Sequence, residues 1–87
     1  MGKANQQSNV KNQAIVNQVG QTLRTLRQSS GQSLMCVAEM AQVDISYLSA
    51  AERGSHALSI QKLAALCDAL NISLSDFFHA IENRHHH

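Results

Sequence analysis

Proline and tryptophan are absent, and aromatic residues make up only 3% of the chain. Without proline no stretch is barred from helix, and with four glycines in 87 residues the other breaker is scarce too. Leu, Ala, Gln and Ser are abundant instead, so an all-α fold is expected. Cysteine occurs only at Cys36 and Cys67, with no C-x-x-C and no histidine at ligand spacing. That argues against a zinc site and a disulfide framework, and predicts two free, buried or partly buried thiols in a reducing compartment. No apolar run approaches the ~18 residues that a membrane span requires, and the first residues are polar, unlike an export signal. A soluble, cytoplasmic protein with no membrane partner is expected. No metal-ligand cluster, no nucleophile with its base in a known motif and no glycine-rich phosphate loop is found, so neither an enzyme nor a cofactor is expected.

Charge of one sign is also lacking: seven basic residues against six acidic ones give a net charge of +1. Without Lys3 and Lys11 the balance turns slightly acidic. Nucleic-acid binding draws most of its non-specific affinity from phosphate neutralisation, so such a partner requires the few cations to be gathered on one face.

What the chain does carry is helical period punctuated by caps. Residues 1–13, rich in Gln and Asn, bury too little to offset their ordering entropy and are expected to form a disordered polar arm. A single folded helical domain is expected over residues 14–83, and the closing residues 84–87 look like a tag remnant. Five helical segments are marked between the ends. The first, about Ala14 to Ser29, sets Ile15, Val19, Leu23 and Leu26 on one stripe and ends at Gly31. Ser33 caps a second, Leu34 to Ala41, and the turn Gln42-Val43 follows. Asp44 caps a third, Ile45 to about Arg53, which Gly54 stops. Ser59 caps a fourth through Leu70, with Asn71 as the stop. Ser73 and Asp76 open a fifth that carries Leu74, Phe77, Phe78 and Ile81. Segments two and three span about two turns each and are joined by a short turn, which suits a crossed pair whose second member can enter a DNA major groove.

The residues that carry a family likeness are Leu23, Arg27 and Gly31, then Val37-Ala38 and Val43. Ser46, Leu48, Ser49 and Glu52-Arg53-Gly54 follow, then Leu63 and Ala69-Leu70-Asn71-Ile72. From about Val19 to Phe78 the chain thereby resembles the Cro/repressor-type helix-turn-helix transcriptional regulators, and is similar among them to the controller proteins of restriction-modification systems. The resemblance implies a compact five-helix bundle and a sequence-specific regulator that binds a palindromic operator in double-stranded DNA as a homodimer. It implies that Ile45 to Arg53 is the recognition helix and that Arg27 and Glu52 form a structural ion pair. An Arg fork against a carboxylate makes a rigid bidentate strut, which agrees. The positions matching base contacts are Ile45, Ser46, Tyr47 and Ala50, with Ser49 beside them. Relatives often carry Gln, Arg or Asn at the matches to Ile45 and Ala50, whereas an aliphatic side chain and a methyl stand here. Ile45 suits a thymine methyl, Ser46 a base edge or phosphate, and Tyr47 either a phosphate or simple packing. Such a surface is expected to read DNA loosely or by shape.

Phosphate contacts are expected at Ser33, Leu34, Arg53, Ser55, His56, Ser59, Gln61 and Lys62. His56 reads as an exposed loop residue, with a pH switch as the other reading. The second helix is apolar nearly all round, with Leu34, Met35, Cys36 and Met40 where relatives usually carry polar residues. An alternative therefore stays open: a scaffold that binds a protein partner at Leu34, Met35 and Met40 and has little interest in DNA. The fifth helix carries more apolar surface than a small core can cover. Leu74, Phe78 and Ile81 are expected at a dimer interface, with Phe77 in the core.

Overall fold

The computed structural model describes the backbone of residues 2–85 and the side chains of residues 12–83. Five helices follow one another: α1 (Gly2–Ser29), α2 (Leu34–Ala41), α3 (Ile45–Glu52), α4 (Ile60–Ala69) and α5 (Leu74–His85). No strand occurs among the described residues.

Each later helix begins on a side chain that satisfies an orphan backbone N–H. Ser33 Oγ accepts from Cys36 N, Asp44 Oδ2 from Ser46 N and Ser73 Oγ from Asp76 N, each at 3.0 Å, and Ser59 Oγ accepts from Lys62 N at 3.1 Å. The first four helices also end alike. Gly31, Gln42, Gly54 and Asn71 take left-handed backbone angles, with φ of 74°, 58°, 75° and 61°. The next residue then closes the helix by donating back to the last turn, as in Val43 N to Ala38 O at 3.0 Å and Ile72 N to Cys67 O at 2.9 Å. Gln42 is the one such stop that sequence preference does not mark. Val43, half-buried against the core, anchors the turn from its far side.

Two terminal expectations change. The backbone of α1 is helical from Gly2, well before Ala14, because nothing between them breaks a helix. Gln13, assigned to the arm, belongs to the folded body: its side-chain amide donates to Gly54 O at 3.0 Å and to Asn17 Oδ1 at 2.9 Å. The side chains of residues 1–11 and the expected tag remnant at residues 84–87 lie outside the described side chains.

The core draws on every helix: Leu23 of α1, Val37, Ala38 and Ala41 of α2, Leu48 of α3, Leu63, Leu66 and Cys67 of α4, and Phe77 and Ile81 of α5. Helix α2 packs on α3 and α4, α1 on α3 and α5, and α4 on α5. Phe77 is fully enclosed, and truncating such a side chain costs about 3–5 kcal/mol. Ile81, expected at a dimer interface, is only 4% exposed and belongs to this core, four residues beyond Phe77 on the same helical face. Of the two free thiols Cys67 is buried as expected but Cys36 is exposed, because α2 turns Val37, Ala38 and Ala41 inward and leaves its neighbours outside.

Candidate nucleic-acid interface

Helix α3 is held from behind so that its other side is free. Leu48, Ala51 and Glu52 face inward. At Gly20, in the interior of α1, a Cβ would run into the Ala51 carbonyl oxygen and lie 3.0 Å from that of Glu52. Glycine there lets the two helices touch through their backbones. A second tie is ionic. Arg27 Nε donates to Glu52 Oε2 at 2.7 Å and Nη2 to Oε1 at 2.9 Å, while Nη1 reaches Gln32 O at 3.1 Å. The two side chains are only 15% and 6% exposed. The hydrogen bond to Glu52 and its negative charge hold the guanidinium above its ordinary pKa against the opposing effect of burial.

The outward side of α3 carries the five candidate base-contact residues. Ile45 and Ser46 are exposed at its start, and Tyr47, Ser49 and Ala50 are half-buried. Ser49 Oγ accepts a 2.8 Å bond from Arg53 Nη1, which folds the long arginine back by one turn. Leu34, Ile45, Ser46, Ser49 and Arg53 thereby line one shallow open depression where α2 meets α3. Beside it Tyr47 stacks obliquely on His56, with ring centroids 4.6 Å apart, and Lys62 Nζ lies 5.6 Å from the Tyr47 ring centre. His56 Nδ1–H donates to Ala57 O at 3.0 Å. Gln61 and Lys62 line a second groove with Gln42 and Val43.

The candidate phosphate set is thus gathered around α3, with differences among its members. Arg53, Ser55, Ser59, Gln61 and Lys62 are exposed, His56 and Leu34 are half-buried, and the hydroxyl oxygens of Ser33 and Ser59 are already engaged as helix caps. The Tyr47, His56 and Lys62 cluster was not anticipated as a unit. Its members lie nine and six residues apart, and only the loop after Gly54 brings them together.

Two apolar surfaces are also present, and His56 of this cluster lines the second of them. On α2, Met35 is 67% exposed and Met40 53%, and Cys36 Sγ touches Met40 Sδ at 3.8 Å. Between α1, α4 and α5 an open groove is lined by Ile15, Val16, Val19, Ile60, Leu63 and Phe78, of which Ile15, Ile60 and Phe78 are exposed. Leu74 is half-buried against the core.

A family model described as a helix-turn-helix domain matches residues 18–77. The transcriptional regulator ClgR of Mycobacterium tuberculosis is 44% identical over 57 residues, which are 66% of this chain and 51% of that protein. The chain thus spans about half the length of this relative. The crystal structure of the clp gene regulator ClgR from Corynebacterium glutamicum is similar with a TM-score of 0.74 at 33% identity, covering 79% of this chain and 90% of that one. The restriction-modification controller protein C.Esp1396I, solved as a tetramer in complex with its natural 35 base-pair operator, is similar with a TM-score of 0.75 at 25% identity over 78% of this chain and 90% of that one.

Proposed function

The chain belongs to the helix-turn-helix domain family, and from that premise we propose that it is a sequence-specific DNA-binding transcriptional regulator working as a homodimer on a palindromic operator. One observation carries the reading: the free face of α3, Ile45 to Ala50, is flanked by Arg53 and by Lys62. A chain with a net charge of +1 has few cations to spend, and two of them stand beside the helix that matches recognition helices. The operator complex of C.Esp1396I supports the DNA reading, and the regulator name of the relatives supports control of transcription.

In this reading Ile45, Ser46, Tyr47, Ser49 and Ala50 meet base edges. Arg53, Ser55, His56, Gln61 and Lys62, with the helix starts at Ser33, Leu34 and Ser59, meet the backbone. The apolar groove at Ile15, Ile60 and Phe78 supports the homodimer, because an isologous partner covers the same patch twice. The experiment is selection of genomic fragments by the protein, followed by a salt titration of the fragments retained. A specific complex that weakens steeply with salt is expected. Fragments no better bound than random DNA at low salt overturn the reading. The exposed Met35 and Met40 favour a second reading, a protein partner docked on α2. It predicts that Met35→Glu abolishes complex formation and that DNA binding is absent.

A further inference from the structure

The depression between α2 and α3 divides into two kinds of surface. Its wall is aliphatic, formed by Leu34 at the first position of α2 and Ile45 at the first position of α3. Opposite chemistry comes from Arg53, with Ser46 and Ser49 between. The bond from Arg53 Nη1 to Ser49 Oγ decides where that arginine works. Arg53 stands at the C-terminal end of α3, away from the end that recognition helices present to bases. Folded back onto Ser49, its guanidinium stands level with the middle of the helix, about 6 Å along the axis from Ile45 at 1.5 Å per residue. Base pairs rise about 3.4 Å each, so with α3 laid along the major groove the guanidinium and the aliphatic wall reach within about two base pairs of one another. No carboxylate pairs with Arg53 among the described residues, so its charge is not already answered.

We infer that this depression reads a pyrimidine 5-methyl group with a guanine within two base pairs of it, Leu34 and Ile45 covering the methyl and Arg53 donating to guanine O6 and N7. The inference rests on the DNA-binding reading above and names what that surface recognises, moving Leu34 and Arg53 from the backbone-contacting set to the base-reading one. A methyl at pyrimidine C5 is the one apolar group exposed on a base edge in the major groove, and guanine presents the two acceptors that an arginine fork fits. Aliphatic side chains have no other base-edge partner. Ser49, by holding one guanidinium nitrogen, is the positioning residue that aims the fork. Thymine and 5-methylcytosine both carry this methyl, and the test separates them.

The test uses the full chain and a duplex that it selects from genomic DNA, with affinity read by fluorescence anisotropy. Deoxyuridine in place of each thymine in turn is expected to weaken binding about fourfold per half-site at one symmetric position, the worth of one buried methyl group. At that position 5-methylcytosine is expected to bind better than cytosine. A gain from thymine alone supports the proposal with thymine as the source, and a gain from both assigns the shared methyl. 7-Deazaguanine, which lacks the N7 acceptor, is expected to weaken binding about tenfold at one guanine within two base pairs. In Ile45→Ala the deoxyuridine effect should vanish, and in Arg53→Ala the 7-deazaguanine effect should vanish. Ser49→Ala should reduce the 7-deazaguanine effect while leaving the deoxyuridine effect intact. Specific binding indifferent to every deoxyuridine overturns the methyl reading and leaves the DNA-binding function standing. Failure to select any duplex overturns the function itself.

Discussion

Arg27 and Glu52 show how one contact fixes α3, the proposed recognition helix. The carboxylate is only 6% exposed and both its oxygens are taken by the guanidinium, so removing it strands a largely buried cation. Because Arg27 keeps 15% exposure, Glu52→Ala is expected to cost about 2–3 kcal/mol, short of the ~3–5 kcal/mol of a fully buried pair. For a domain of this size that lowers the melting temperature by roughly 10–20 °C, and a shift of under a degree would show that the bond contributes nothing. The raised pKa of Arg27 keeps its share of stability fully present until strongly alkaline pH, so no change is expected on its account at working pH. Cys67 behaves differently. Burial pushes its thiol from 9.0 to about 11, so the folded state keeps the proton that the unfolded chain gives up. Stability should therefore hold below pH 9 and fall as the pH rises toward 11. Melting curves across that range should show a shallower fall for Cys67→Ala, whatever its starting stability, and equal slopes would exclude the thiol as the cause.

At the scale of the element, the boundaries of α2 to α5 were legible because local chemistry sets them. Ser33, Asp44, Ser59 and Ser73 cap their helices within three residues, and Gly31, Gly54 and Asn71 tolerate the left-handed angles that end them. The pairing of Arg27 with Glu52 was reached through family resemblance, since 25 residues separate the two. Ile81 was misplaced because the periodicity of α5 shows which face is apolar but not how much of it a single chain covers. Gly20 went unread for a similar reason. A glycine inside a helix looks like a cost of up to ~1 kcal/mol, and only the approach of α3 explains it. Gly20→Ala should improve helix propensity yet destabilise the protein by about 1–3 kcal/mol, because the new methyl must push the backbone of α3 away. Chemical denaturation checks the sign, and a stabilised variant would mean that the α1–α3 gap is wider than this. The same displacement should lower affinity for selected DNA more than for random DNA, since α3 carries the row proposed to face the bases.

For the whole molecule the decisive quantity is how little charge and how much apolar surface it has. With a net charge of +1, attraction to DNA has to be local, and Lys62 beside the Tyr47 ring is one of few cations in reach. Lys62→Ala should weaken binding to operator and random DNA alike and reduce the slope of log K against log[salt] by about 0.9 per subunit. An unchanged slope would remove Lys62 from the phosphate set. A single subunit with so few cations gains most from doubling its contacts, which is what the groove at Ile15, Ile60 and Phe78 permits. Phe78 is the residue to change. It is 39% exposed while Phe77, whose ring it meets edge-on at 5.6 Å, is fully buried, so an aspartate at 78 leaves the core intact. Phe78→Asp places a charge on each side of the proposed two-fold interface, where burying it unpaired costs several kcal/mol. The expected outcome is a folded chain with near-normal helix content and half the sedimentation mass of the wild type. Its DNA binding should become non-cooperative and much weaker, because each half-site then binds without the other. An unchanged mass would mean that the groove is not where two copies meet, and the dimer would have to be sought on α2, where Met35→Glu repeats the test.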